Sequence, residues 1–266
     1  IKQLQHNIRP LTCWDVDEKV MGGQVTGTIE VQSTQPIVGE RHLHYQGGKT
    51  TVAQFGQVIE DGETTLYFPE IGPAWNDWVQ IVNVGNQRAK VNLIARNDGT
   101  GKPTWSDEKE LNPFQCWTPN VEAIKVKSSL EANSSQPIAG ERHMHKGTAV
   151  IDLRGASVKG GEVGKRLFFG EIYAGSGALD WFRFLNVGEN NAMVNMIVRD
   201  RNGKVLKQLQ HNIPRFRCWD VDDKAMGQTT GTVEVQSTQP IIGERHMHYK
   251  GRHKGAVVGE YGQVIG

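Results

Sequence analysis

Apolar and polar residues alternate along much of this chain with a period of two, the spacing of strands that bury one face. In Trp78-Val79-Gln80-Ile81-Val82 and Val91-Asn92-Leu93-Ile94 the apolar residues fall near every second position. The pattern predicts two strands joined as a hairpin through Gly85-Asn86, with Asn97-Asp98-Gly99 ending the second. Val121 to Ala132 and Ile138 to His145 read as two more strands, separated by Ser134-Ser135-Gln136-Pro137. Proline has no N–H to give a ladder, so that segment breaks a central strand. Thirty-one glycines, many Val, Ile and Thr, and turn signals such as Arg201-Asn202-Gly203 favour strands and tight turns over helices. The expected class is all-β.

The pattern repeats. KQLQHNI at Lys2 to Ile8 returns at Lys207 to Ile213, and VQSTQPIVGERHLHY from Val31 returns as VQSTQPIIGERHMHY from Val235. A more divergent copy lies between, with SSQPIAGERHMH from Ser134. Cys13-Trp14, Cys116-Trp117 and Cys218-Trp219 mark the three copies, and the period is about 103 residues. LYFPEI, DWVQIVNVG and AKVNLIARNDG recur as LFFGEI, DWFRFLNVG and AMVNMIVRDRNG, but only twice. With this half called a and the Cys-Trp to GERH half called b, the chain runs b-a-b-a-b. The division expected is a partial repeat over residues 1–60 and complete repeats over 61–163 and 164–266. About seven strands per repeat suit a sandwich.

Charge then excludes several partners. The 266 residues carry a formal net charge of +1 and no long basic run, which leaves no electrostatic footprint for nucleic acid. No stretch approaches the ~20 apolar residues of a membrane-spanning helix. HExxH, GxSxG, CxxC and phosphate-loop motifs are absent, so the expectation is a protein that is not an enzyme and needs no cofactor.

Three groups of residues remain as candidate chemistry. His42 with His44, His143 with His145, and His246 with His248 are i, i+2 pairs, and Glu40, Glu141 and Glu244 share their face. Imidazole and carboxylate together suit a divalent metal, while the alternatives are packing between repeats and a pH-sensitive contact. Arg41, Arg142 and Arg245 point to the opposite face, inward or towards the next module, where each needs a carboxylate or carbonyl; Asp15, Asp220 and Glu70 are candidates. Trp75 and Trp105 have no aromatic counterpart in the other repeat, so they are the tryptophans free to stack on a glycan. Cys13, Cys116 and Cys218 occur once per repeat, so they read as small apolar core markers beside Trp14, Trp117 and Trp219. Asp15 with Asp17, and Asp220 with Asp222 and Asp223, could hold calcium, but Thr118 and Asn120 in the middle copy argue against it.

The succession YFPEI, a DxW strand ending in NVG, an AxVxxxxR strand and SxQPIxGER resembles tandem immunoglobulin-like modules at the ends of secreted bacterial cell-surface proteins. In those modules the last strand commonly reads like PIVAERPMYF; this chain has GERHLHY, GERHMHK and GERHMHY instead. The resemblance implies tandem antiparallel sandwiches with a surface or matrix role, and it carries no catalytic residue and says nothing of the histidines. The expected function is therefore that of an extracellular structural repeat protein, self-associating into a filament, sheath or stalk. The alternatives are a polysaccharide-binding adhesion module and metal-dependent assembly through the His-x-His strands.

Overall fold

The computed structural model describes residues 2–23, 27–45, 50–59, 63–174, 177–227, 229–251 and 255–265. The chain divides into two compact units, Ile1–Ile37 and Val38–Gly266, so the boundary falls inside the segment read as the partial repeat.

The first unit holds one short helix, α1 (Glu18–Met21), and no strand among its described residues. The Asp17 carboxylate accepts from the Val20 N–H at 2.8 Å, capping α1, and Gly22 closes it at a φ of 108°. His6 stacks on Trp14 at 5.1 Å.

The second unit is all-β. It opens with the antiparallel pair β1 (Glu40–Tyr45) and β2 (Thr50–Phe55). The first complete repeat follows as β3 (Thr65–Ile71), β4 (Asn76–Asn83), β5 (Ala89–Asn97), β6 (Pro103–Leu111) and β7 (Cys116–Trp117). Its later strands are β8 (Ser128–Ser134), β9 (Ile138–Lys146) and β10 (Ala149–Arg154). They form two four-stranded antiparallel sheets, β3-β8-β5-β6 and β10-β9-β4-β7. One core joins the inner faces: Leu66 and Phe68 of β3, Val91 and Leu93 of β5 and Leu130 of β8 meet Val79 and Ile81 of β4 and Ile138 of β9. This is a sandwich-like arrangement.

The second complete repeat has the same plan in β11 (Val163–Ala174), β12 (Ala178–Asn186), β13 (Ala192–Asp200), β14 (Val205–Ile213) and β15 (Cys218–Asp222). A four-residue helix α2 (Asp223–Met226) precedes β16 (Thr229–Tyr249), and β17 (Val257–Tyr261) and β18 (Gln263–Val264) end the fold. The first half of β16 pairs with β11 and β13, and its second half pairs with β12 and β17. Thus β16 does in one strand what β8 and β9 do in two. Among the described residues no helix is long and apolar enough to cross a membrane.

Two sequence expectations need correction. β4 and β5 are not a hairpin; they lie in opposite sheets, and the chain crosses between them after Asn83. The Asn83 amide donates to the Gln87 and Leu111 carbonyls at 2.7 and 3.0 Å, and its oxygen accepts from the Gly85 N–H at 2.9 Å. Asn186 makes the equivalent bonds to Asn190, Ile213 and Gly188. A buried amide satisfied by three backbone groups fixes the crossing in a way alternation cannot encode. β5 and β13 instead form hairpins with β6 and β14, turned by Asn97-Asp98-Gly99 and Arg201-Asn202-Gly203. Val121 to Ala132 is not one strand either, because Val121–Ala123 forms a 3₁₀ turn and the strand begins at Ser128. The Ser134 to Pro137 breaker does separate β8 from β9, whereas its counterpart lies within β16.

The segments of the first unit have strand counterparts in the last copy. KQLQHNI is part of β14 and pairs with β13, while CWDVD is β15 and pairs with β12. Both partners belong to an a half. The turn ahead of Cys-Trp is shared: Leu11, Phe114 and Phe216 sit at φ of 60, 59 and 59°, a left-handed position in every copy.

Candidate functional site

The GERH strands carry the joint between copies. Their alternation places the paired histidines on one face, with ring centroids 6.4, 6.1 and 6.2 Å apart for His42–His44, His143–His145 and His246–His248. On that face each glutamate binds the nearer histidine of its own strand: Glu40 with His42 at 2.8 Å, Glu141 with His143 at 2.9 Å, and Glu244 with His246. In the first two copies the intervening arginine leaves on the opposite face and reaches the glutamate of the following copy. Arg41 meets Glu141 at 3.3 Å and Arg142 meets Glu244 at 2.6 Å, across 100 and 102 residues of sequence.

In the two complete repeats the glycine of the motif sets the depth of this strand. A Cβ on Gly140 would stand 2.8 Å from Ile81 Cδ1, and one on Gly243 would stand 2.9 Å from Leu167 Cδ1. Only glycine lets the sheets close there while the next two residues are aimed at the joint.

Environment differs along the row. Arg142 and Glu244 are fully buried, and Arg142 also donates to the Glu70 carbonyl. Arg41 is half-buried and adds Asp152, while the Gln54 amide donates to Glu141 at 2.7 Å. Around the pairs lies apolar contact: Met144, Ile151 and Leu153 with Trp75, Val257 and Tyr261. The Tyr261 hydroxyl donates to the Arg154 carbonyl at 2.9 Å.

A second ionic cluster secures the same joint. Arg183, 1% exposed at its side chain, donates to Asp98 at 2.6 Å, to both oxygens of Asp220 at 2.9 Å, and to the Pro69 carbonyl at 3.2 Å. Lys127 adds a contact to Asp220 at 2.9 Å. Gln80 occupies the corresponding place in the first complete repeat, and Thr118 corresponds to Asp220. The two successive joints of an alternating array therefore differ chemically.

Electrostatics follow the pairing. Burial alone would raise the Glu244 carboxyl, but Arg142 and His246 outweigh it and hold it down at about 2. Burial also opposes the low value of Glu141, which His143 and Arg41 produce. Asp77 goes the other way. Burial raises it to about 6, only partly offset by Arg142 and the Gly72 N–H. Its Oδ2 accepts from that N–H at 2.7 Å, but Oδ1 is buried without a hydrogen-bond partner among the described residues. Raised above the unfolded value of 3.8, Asp77 binds more protons folded than unfolded between 3.8 and about 6, so its contribution to stability declines as pH rises through that window. Denaturant titrations across this range should show a smaller decline for Asp77→Asn than for the wild type.

The predicted site residues are distributed as follows. Glu141 and His143 meet Asp152, and Glu244 and His246 meet Glu70, as three-donor clusters with ligand atoms within 4.8 Å of one another. In both, a guanidinium already binds the glutamate, so its charge is matched by the chain's own cation. His44, His145 and His248 stand outside both clusters; His44 contacts Thr51 at 2.9 Å and His248 packs on Trp75 at 6.1 Å. Trp75, expected to stand free, is half-buried against His246 and His248 at the joint. Trp105 is half-buried on the first core. Trp117 is in that core, Trp219 packs against the second, and His211 stacks on Trp219 at 5.2 Å as His6 does on Trp14. Cys218 and Cys116 are half-buried and Cys13 is exposed, all as free thiols. Burial pushes the Cys218 thiol up, so it stays protonated.

Asp220 serves Arg183, and Asp222 accepts from the Ala225 N–H at 2.9 Å as the cap of α2, which accounts for acids in this loop without calcium. Sequence reasoning missed Asp152 and Glu260, which carry no motif of their own, and read Asp98 and Arg183 only as parts of a turn and of a repeated strand. No protein-family model matches the chain, and neither a curated protein nor a solved structure matches it significantly.

Proposed function

We propose that this chain is a non-enzymatic, extracellular structural repeat protein in which tandem immunoglobulin-like modules are joined end to end into a filament, sheath or surface stalk. The observation that carries the reading is the arginine–glutamate contact between one GER motif and the next, made twice at nearly the same separation. A motif that is its own partner at the next copy can extend without a new kind of contact, as a linear array requires. The half-buried place of Trp75 in the joint, and the binding of Glu141 and Glu244 by arginine, favour structure over glycan or metal recognition.

Negative-stain microscopy of the native material, with light scattering of the purified chain, tests this reading. Filaments or regular extended particles are expected. Compact monomers in both would contradict it.

A further inference from the structure

The three motif arginines are chemically equivalent in sequence but not in their partners. Arg142, which reaches the next copy, leaves its Nε buried without a hydrogen-bond partner among the described residues, and Asp77 Oδ1 is left in the same condition. Arg245 has turned back. Its Nε donates to Asp180 Oδ1 at 2.7 Å and its Nη1 to Glu260 at 2.8 Å, with Nη2 3.4 Å from the Met247 sulfur. Asp180 is the counterpart of Asp77, and its other oxygen is likewise held by a backbone N–H, that of Tyr173 at 2.5 Å. The same aspartate thus binds its own arginine only where that arginine does not cross to another copy. Arg41 crosses to Glu141 and also leaves Nε unpaired among the described residues.

The position facing the arginine across the ladder differs too. Gln54 lies opposite Arg41 and Leu153 opposite Arg142, but Glu260 lies opposite Arg245. Its side chain is 43% exposed, a surface acid that adds a second hold on the returned guanidinium.

At the other end of the row stands an acceptor of the kind Arg245 lacks. Glu40 binds His42 as Glu141 binds His143 and Glu244 binds His246, yet it meets no guanidinium among the described residues and its side chain is 48% exposed.

Resting on the reading of the GER contact as the joint between modules, we propose that Arg245 is a reserve donor, parked on Asp180 and Glu260, which transfers to the Glu40 carboxylate of a second copy of this chain. The partner is fixed by chemistry already used twice: a glutamate oriented by the histidine two residues on, offered to an arginine from the preceding copy. Donor and acceptor are different residues, Arg245 buried behind Glu260 and Glu40 exposed, so the contact is heterologous and copies add head to tail. Parking keeps a buried guanidinium paired before the partner arrives, at the cost of breaking two ion pairs on docking.

Sedimentation velocity over a concentration series tests this on the full chain, with two substitutions at exposed positions. The wild type is expected to form head-to-tail oligomers. Glu40→Lys should weaken association about tenfold or more by placing a cation against Arg245. Glu260→Gln, which loosens the parked state, should strengthen it. Association of Glu40→Lys equal to the wild type, or no concentration dependence in the wild type and in Glu260→Gln, would overturn the proposal. Filaments that persist in Glu40→Lys would remove this contact and leave the structural-repeat reading standing, because that variant leaves the Arg142–Glu244 joint intact.

Discussion

Replacing Glu244 by alanine is expected to destabilise the second unit by about 3–5 kcal/mol, the cost of leaving a buried charge without its partner. Arg142 is fully buried, and without Glu244 its guanidinium keeps, among the described residues, only the Glu70 carbonyl at hydrogen-bond distance. Glu70 and Asp77 are near enough to attract it, but Lys127 already draws on Glu70 at 3.6 Å, and the Asp77 oxygen makes no bond to it. The matched control is Glu40→Ala, the same motif position with an exposed side chain, which should alter stability in dilute solution by no more than about 0.5 kcal/mol. Urea titrations followed by tryptophan fluorescence report the difference, since Trp181 lies 4.9 Å from His246 at the joint. Equal midpoints for the two variants would mean that Glu244 does not hold a buried charge that Glu40 lacks.

The second large effect is expected at Arg183. Converting it to glutamine, the residue at its counterpart Gln80, should cost about 2–4 kcal/mol. Four hydrogen bonds to two carboxylates and a carbonyl are lost, and a neutral amide cannot match the charge of Asp98 and Asp220 together. The estimate stays below that for Glu244 because Asp220 keeps Lys127 and its side chain is 38% exposed, so water recovers part of its solvation. Calorimetry should show a lower transition temperature, with loss of the cation–ring contact between Arg183 and Trp181, now 5.2 Å. An unchanged transition would remove this cluster from the joint.

These effects also bear on why alternate copies are more alike. The joint between the two complete repeats uses Arg183, Asp98 and Asp220, whereas Gln80 and Thr118 are presented on the corresponding face of the first complete repeat. Two classes of joint, each needing its own residues, favour inheritance of modules in pairs. The arginine–glutamate contact is common to both.

Much of the fold was legible because burial on one face leaves a period of two. β5 buries alternate residues from Ala89 to Ala95, and the repeat shows in the marker pair Cys-Trp. Which sheet a strand joins was not legible: alternation is the same in a hairpin and in a crossing strand, and the deciding bonds run from Asn83 to carbonyls up to 28 residues away. For the site, the pattern placed Glu and His on one face and Arg on the other. Glu70, named from the sequence, does accept from Arg142 through its carbonyl, but the GER glutamate was missed as the arginine's ionic partner because no local pattern sets the register between copies about 100 residues apart. A readable hint existed, since GER carries both charges and recurs at the module period. Trp75 misled for a related reason: a tryptophan without an aromatic counterpart looks free within one repeat, but its neighbours are His246 and His248 of the next.

The most direct test of the joint is a double-mutant cycle between Arg142→Met and Glu244→Leu in the full chain, measured by chemical unfolding. The contact predicts that each single variant is strongly destabilised by the charge it strands, and that the double variant recovers at least about 2 kcal/mol relative to the sum of the two. Single effects that add to within about 0.5 kcal/mol would show that Arg142 and Glu244 do not act on each other, and would contradict the account.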